Sequence, residues 1–589
     1  MEAEVSLYRK GSLFDETYTG DAAQGRERTA AGAVPPPRGK SYAPDKLVDV
    51  LHIRLDLSFD LDARAVSGQA THTMRPLADG LDKVVMDCVE LTVDGVRDAQ
   101  GRALLFDHDG EKLTIFFGGP KSREETFDIA VSYHGKPRLG LYFTGPTKAC
   151  PDKAIQVWSQ GQDEDSRYWF PCFDYPNEKA TSETLVTVPE TWTVVGNGRL
   201  LKVAHNRKDR TKTWHHKEST AHVSYLISIA CGEFAVVGDT WRDIPVQYFV
   251  KPGFEAHARR AFSQTPDMLT FFSDYFGYDY PYEKYSQVVV EDFIFGGMEN
   301  ISATTLIDRC LPDERAARDY EPQDLVSHEL AHQWFGDLLT CKDWSHAWLN
   351  EGFASYSEVL YREHWRGEDD AGYHRLLQAK GYFARDRVER RPIVTKGYTI
   401  PMELFDAHIY QKGSLVLHML RNTLGEKAFR RCLSEYLRRF AGRTVQTEDL
   451  IGVIAEITGR NLEWFFDQWI FGAGYPELDV TFSWDDDKKT AVLTVDQKHK
   501  IEGSTGLFRM PVAVRFHGRK GVQDETVQVA AAHQVFAFRF DEKPLFVNID
   551  PGSNVLKKLT LTVPPEMLKA QLKKDPDWFG RVEAARALC

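Results

Sequence analysis

The chain has 589 residues, 42% hydrophobic and 12% aromatic, enough for globular cores and roughly three or four domains. Its 73 basic and 86 acidic residues leave a net charge of −13, which argues against a nucleic-acid binder, because such proteins carry basic faces. The eight cysteines are scattered with no Cys-x-x-Cys pair, no apolar run reaches the ~18 residues of a membrane span, and the first 30 residues hold no signal-peptide core, so a soluble cytoplasmic protein with buried thiols is expected.

Residues 1–44 are polar, contain Pro35-Pro36-Pro37, and show no periodicity, which reads as an extended arm draped over the next domain. From Leu51 to Leu61 the odd positions are apolar and most even ones polar, the signature of a half-buried strand. Similar patterns at 84–95, 126–134, 184–195 and 222–237 predict a β-rich domain to about residue 240. Helical periodicity follows from 254 to 472, at Glu255–Tyr275, Glu351–Trp365 and Gly413–Leu424 among others, interrupted by a strand at Ser286–Glu291. Alternation returns after Pro476, at 492–495, 511–516, 526–529, 535–540 and 545–549, and predicts a β-sandwich. The last segment, Pro565 to Cys589, is helical in composition.

Within the helical region lies the stretch that carries chemistry, His328-Glu329-Leu330-Ala331-His332, followed after eighteen residues by Glu351. Residues four apart share a helix face, so His328 and His332 can turn one ring nitrogen each toward a single zinc ion. Glu329 points elsewhere and is placed to hold a water as general base. Glu351, from a second helix, would be the third ligand, with the fourth position open as in catalytic sites. The five-residue pattern alone also fits a polar helix with two surface histidines. The apolar flanks Leu325, Val326, Leu330, Trp334 and Phe335 argue instead for a buried helix, bounded by Pro322 and Gly336, in which such residues need a cation. Glu358, two turns beyond Glu351, is a candidate partner for a ligating histidine, and Asp343 a weaker one.

Further motifs stand in order around this one. Gly296-Gly297-Met298-Glu299-Asn300 follows the apolar run Phe293-Ile294-Phe295, and its glycine pair suggests a tight loop that packs Glu299 inward. Gln160-Gly161-Gln162 leads to Arg167, Phe170-Pro171-Cys172 and Asp174, Tyr410-Gln411-Lys412-Gly413 lies downstream, and Trp469 runs to Gly474-Tyr475-Pro476. Together with the histidine pair and its eighteen-residue gap, these segments resemble the gluzincin zinc aminopeptidases, the family of aminopeptidase N and leukotriene hydrolase, in a cytosolic bacterial-type form. The resemblance runs from about Asp45 to Val563.

The resemblance implies a multidomain fold: an N-terminal β-rich saddle domain at 45–240 behind the 1–44 extension, a thermolysin-like α/β catalytic domain at 241–475, a β-sandwich at 476–563, and at 564–589 the start of a helical domain that many members carry in full. It implies a monomer that removes the N-terminal residue of peptides, with one zinc ion held by His328, His332 and Glu351, Glu329 as base and Tyr410 as oxyanion donor. Gln162 and the Gly296, Gly297, Met298 and Glu299 motif would bind substrate, Glu299 holding the free amine and the segment Ile301 to Ile307 pairing with the peptide as an added strand. No nucleic acid or membrane partner is implied. An endopeptidase would lack the amine anchor, and a scaffold that had lost the metal would lack the zinc residues, all of which are present. Gly297 in place of the commoner alanine, together with Gln162, suggests an epoxide hydrolase of the leukotriene type, from which the β-sandwich departs.

Overall fold

The computed structural model describes residues 39–589, so most of the arm expected at 1–44 lies outside it. Of the remainder, Ser41 is tied to the loop at 396–398, its N–H donating to Lys396 O at 2.8 Å and its hydroxyl to Tyr398 O at 2.6 Å. The chain divides into two compact units: one runs to Glu358 and takes in Lys396–Leu404 and Leu433–Gln446, and the other comprises Val359–Thr395, Phe405–Cys432 and Thr447–Cys589.

The first unit opens on a seven-stranded sheet in the order Arg199–Asn206, Thr211–His222, Ala180–Pro189, Val48–Asp60, Ala65–Pro76, Phe127–Gly135, Leu91–Asp98. Its first strand alternates as expected, burying Ile53, Leu55 and Leu57, but a bulge between Val50 and His52 switches the parity, so that Val48 and Val50 point inward. Each aliphatic side chain buried this way contributes about 1.5–3 kcal/mol. The strand expected over 84–95 is two, Leu81–Asp87 and Leu91–Asp98, because Glu90 takes a left-handed turn at φ 57°. The run 184–195 likewise splits between two sheets, at Ala180–Pro189 and Thr193–Gly196. Residues 222–237 form no single strand: a 3-10 turn at Ser224–Leu226 precedes short strands at Ile229–Gly232 and Ala235–Trp241.

A five-stranded sheet across the expected boundary at 240 carries the chemistry-bearing segments, in the order Ala235–Trp241, Ile244–Val250, Tyr285–Val290, Ala303–Ile307, Gly297–Met298. One expectation is corrected here. Ala303–Ile307 pairs parallel with Tyr285–Val290 along its length and antiparallel with Gly297–Met298 at Thr305 and Leu306, so its second edge is taken at those two residues. The strand left at the edge is Gly297–Met298, and an added strand would have to pair there. The helical run 255–275 is also two helices, Glu255–Phe262 and Thr265–Phe276, the second starting with Pro266 in its first turn.

In the second unit the strands after Pro476 form two sheets. One orders His533–Arg539, Thr490–Gln497, Glu477–Asp485, Lys558–Thr562, and the other Val522–Val529, Met510–His517, Phe546–Ile549. Val480 and Leu493 from the first line the same interior as Val514 and Val527 from the second, which makes the pair a sandwich. Helices Pro565–Lys574 and Trp578–Leu588 follow, the latter capped by Asp577, whose carboxylate accepts from Phe579 N at 3.1 Å.

Candidate metal centre and its surroundings

The helix Gln323–Ala331 is buried along its whole length, and His332 at its end still has right-handed helical dihedrals (φ −57°, ψ −26°). The helix stops short of Gly336, where sequence placed its end, yet the four-residue spacing keeps the two histidines on one face, ring centroids 4.8 Å apart. Gly336 serves the site instead: its φ of +138° disfavours other residues, and a Cβ there would come 2.9 Å from His332 Nδ1.

Glu351, in the first turn of the helix Trp348–Arg366, reaches both rings. Its Oε2 lies 3.4 Å from His328 Nε2 and 3.2 Å from His332 Nε2. The far side of each ring is spent: His328 Nδ1 meets Glu358 Oε1 at 2.7 Å, and His332 Nδ1 meets the Phe335 carbonyl at 2.9 Å. Nδ1–H donates in both cases, so each neutral ring would turn its Nε2 lone pair toward Glu351 and a shared cation. Two imidazole nitrogens and a carboxylate oxygen on one small volume are the donor set of a catalytic divalent cation such as zinc, and these residues fit one. Glu358 therefore holds the position sequence suggested. Asp343 does not: its carboxylate caps the turn Trp344–His346, accepting from Ser345 N at 2.9 Å. Glu358→Gln is expected to weaken metal binding about ten- to a hundredfold, measured by competition with a chelator; unchanged affinity would reduce that contact to packing.

Glu329 lies beside the triad. Its ligand oxygen groups with Glu299 and His332, all within 4.8 Å of one another. Burial pushes the Glu329 carboxyl up to about 8. Burial would raise Glu351 as well, but the His332 and His328 rings, when protonated, hold it down to about 2. Carboxylates crowded into a dry site repel one another, and a divalent cation is the natural balance. Glu329 is pressed against the edge strand, where a Cβ on Gly297 would fall 2.3 Å from its Oε1, so the glycine makes room for it.

Glu299 is 3% exposed, and Gln162 Nε2 donates to its Oε1 at 3.3 Å. Met298 is buried with Gln160 Nε2 3.0 Å from its sulfur, and the Gly296 carbonyl accepts from Ile307 N. Sequence reasoning missed what fixes this segment. Gln333, next to His332, donates through Nε2 to Glu299 O at 3.1 Å and accepts from Ser302 N at 2.8 Å, which ties the histidine-bearing turn to the segment that follows the strand Gly297–Met298. Ser302 turns at φ 59°, held by its hydroxyl on Glu218 at 3.1 Å and by Gly198 N at 2.7 Å, while Asn197 Nδ2 donates to Ile301 O at 2.9 Å. A buried amide directly after a candidate metal-binding histidine was the one available signal.

Tyr410 belongs to the second unit, on a π-helical turn at His408–Lys412, and is 4% exposed. Such turns recur at functional sites. This one is anchored by Asp406, which accepts from Arg385 at 2.8 Å, Arg391 at 2.6 Å and the His408 ring at 3.0 Å.

Two family descriptions match: the peptidase M1 N-terminal domain over residues 49–226 and the peptidase family M1 domain over 260–469. Aminopeptidase M1-C of Oryza sativa subsp. japonica is 30% identical over 76% of this chain and 52% of its own. The leucyl aminopeptidase of Saccharolobus solfataricus is 26% identical over 80% of this chain and 59% of its own. The chain thus spans about half the length of the curated relatives it matches. Among solved structures, aminopeptidase A of Legionella pneumophila in complex with aspartic acid shares the fold at a TM-score of 0.81 and 19% identity, over 94% of this chain and 64% of that one. With both M1 descriptions matched in order and the histidine–glutamate cluster assembled in the second of them, the chain belongs to the M1 family of peptidases, the aminopeptidase N-type gluzincins.

Proposed function

We propose that this chain is a zinc aminopeptidase, binding one zinc ion and hydrolysing the N-terminal residue from peptides with a free amine. The observation that carries the reading is the convergence of His328, His332 and Glu351 on one point, with Glu329 and Glu299 buried beside them. Zinc held there would supply Lewis acidity toward the scissile carbonyl and a lowered pKa for the attacking water. Glu329 takes the proton from that water and passes it to the departing amine. Glu299, with Gln162 at its side, offers a buried carboxylate to the substrate ammonium, a charge that an acetylated amine lacks. The edge strand Gly297–Met298 gives an extended peptide a backbone to pair with. Tyr410 is assigned the hydrogen bond to the oxyanion. A cytoplasmic setting and a monomeric state belong to the same proposal; the former draws on eight free thiols, Cys88, Cys172, Cys231, Cys310, Cys341 and Cys432 being buried. No described helix is long and apolar enough to cross a membrane.

The test is a panel of amino-acid amides with a chromogenic leaving group, free or acetylated, with and without a chelator. Cleavage of free amides only, lost on chelation and restored by zinc, is the expected result; cleavage of acetylated amides, or insensitivity to chelation, overturns the reading. In Glu299→Gln the charge facing the ammonium is gone, and kcat/KM for free amides should fall about ten- to a hundredfold. Unchanged kcat/KM would remove Glu299 as the anchor.

A further inference from the structure

The second unit holds a cavity of about 310 Å³ that the proposed peptidase chemistry does not use. It lies between the helices Glu368–Val388 and Gly413–Leu424, the loop after the strand Phe546–Ile549, and the terminal helix Trp578–Leu588. The terminal helix closes it tightly: a Cβ on Gly372 would meet the Phe579 ring at 2.8 Å. The lining includes the apolar side chains of Leu376, Phe383 and Phe579 and the basic ones of Arg375, Lys380 and Lys558.

Arg375 is the unusual member. It is 2% exposed, and its Nη2 is committed to Glu368 Oε1 at 2.8 Å and to the Gly552 carbonyl at 3.2 Å. Its Nε and Nη1 have no hydrogen-bond partner among the described residues. A guanidinium cannot shed its charge, and buried N–H groups are rarely left unpaired. The acidic groups on the lining are already engaged: Asp550 accepts from Lys557 and from Val555 N, and Glu583 accepts from Arg586 at 2.6 Å. His418 brings no charge, since burial, with Arg375 nearby, drives its pKa well below 6.5.

We propose that this cavity binds an organic anion, a carboxylate carried on an apolar body, with a carboxylate oxygen accepting from the unspent Nη1 of Arg375 and the body against Leu376, Phe383 and Phe579. The pairing follows from the lining. Arg375 and the apolar side chains line one volume, a carboxylate oxygen makes a charge-assisted bond to an N–H that is otherwise unpaired, and hydrocarbon prefers the wall to water.

The experiment is calorimetric titration of the intact protein with 4-phenylbutyrate, its amide and inorganic phosphate, each with and without chelator so that capture by a metal is separated. A bromophenyl analogue soaked into crystals locates the ligand by anomalous scattering. Saturable binding of the carboxylate at one site per chain is expected, unaffected by chelation, at least about tenfold tighter than the amide, with bromine in the cavity. Arg375→Met should weaken it by a similar factor. Ala379→Phe, which fills the cavity from its wall and leaves the pairs of Arg375 alone, should abolish it without changing turnover of small amides. Equal binding of the amide, phosphate binding as well as the carboxylate, loss on chelation, or undiminished binding by Ala379→Phe would each overturn the proposal. None of these readouts depends on turnover, so such a failure leaves the aminopeptidase reading standing.

Discussion

Glu329→Gln is expected to keep its metal and lose about a hundred- to ten-thousandfold in kcat, the range for removing a positioned general base. The amide has the shape of the carboxylate and keeps its place against Gly297, where the side chain is confined. With His328, His332 and Glu351 as the proposed metal donors, metal content and the thermal stabilisation that metal confers should match the parent. Without metal the variant should be no less stable than the parent, because it replaces a carboxyl whose charged form burial penalises with a neutral amide. The competing geometry is explicit: Glu299, Glu329 and His332 also lie within ligand distance of one another. If the variant loses metal in step with activity, Glu329 is a ligand and the base must be sought elsewhere. If metal stays and turnover survives, no group at Glu329 moves the proton.

Much of the site was legible in the sequence because its rules are local. The spacing of His328 and His332 needs only the pitch of a helix, and Glu358, two turns after Glu351, follows from the same pitch. What was not legible depends on pairing between distant segments. Sequence does not say that Ala303–Ile307 is flanked on both edges, nor that Gly297–Met298 is the edge, since sheet order is set by tertiary contacts. The bulge at Val50 and His52, which reverses the face of the first strand, leaves no mark in an alternating pattern read from Leu51 onward. The strand Thr211–His222 escaped for a related reason. It carries Lys212, His215, His216 and Lys217 among its residues, and its long polar side chains hide the alternation that its place inside the sheet imposes. Gln333 is the clearest case at the site: its two bonds, to Glu299 O and from Ser302 N, exist only once the helix and the edge strand have met.

Tyr410→Phe is the second large effect expected, a loss of about a hundred- to a thousandfold in kcat, the usual cost of deleting one oxyanion donor. The substitution removes only the hydroxyl, and the ring keeps its buried place on the turn His408–Lys412. That turn is held independently of the hydroxyl, by Asp406 with Arg385, Arg391 and His408, so the fold should survive. A group that acts only on the oxyanion stabilises the transition state more than the ground state, so kcat should fall while KM stays near the parent value. Metal content should be unchanged, because the proposed donors lie on the helices Gln323–Ala331 and Trp348–Arg366, with His332 at the end of the first. A tetrahedral phosphinic analogue should lose affinity in Tyr410→Phe by about the factor lost in kcat, since it presents the oxygen that the hydroxyl would meet. Parent-like turnover would sink the assignment. A rise in KM with kcat intact would move Tyr410 from the oxyanion to ground-state binding of the substrate.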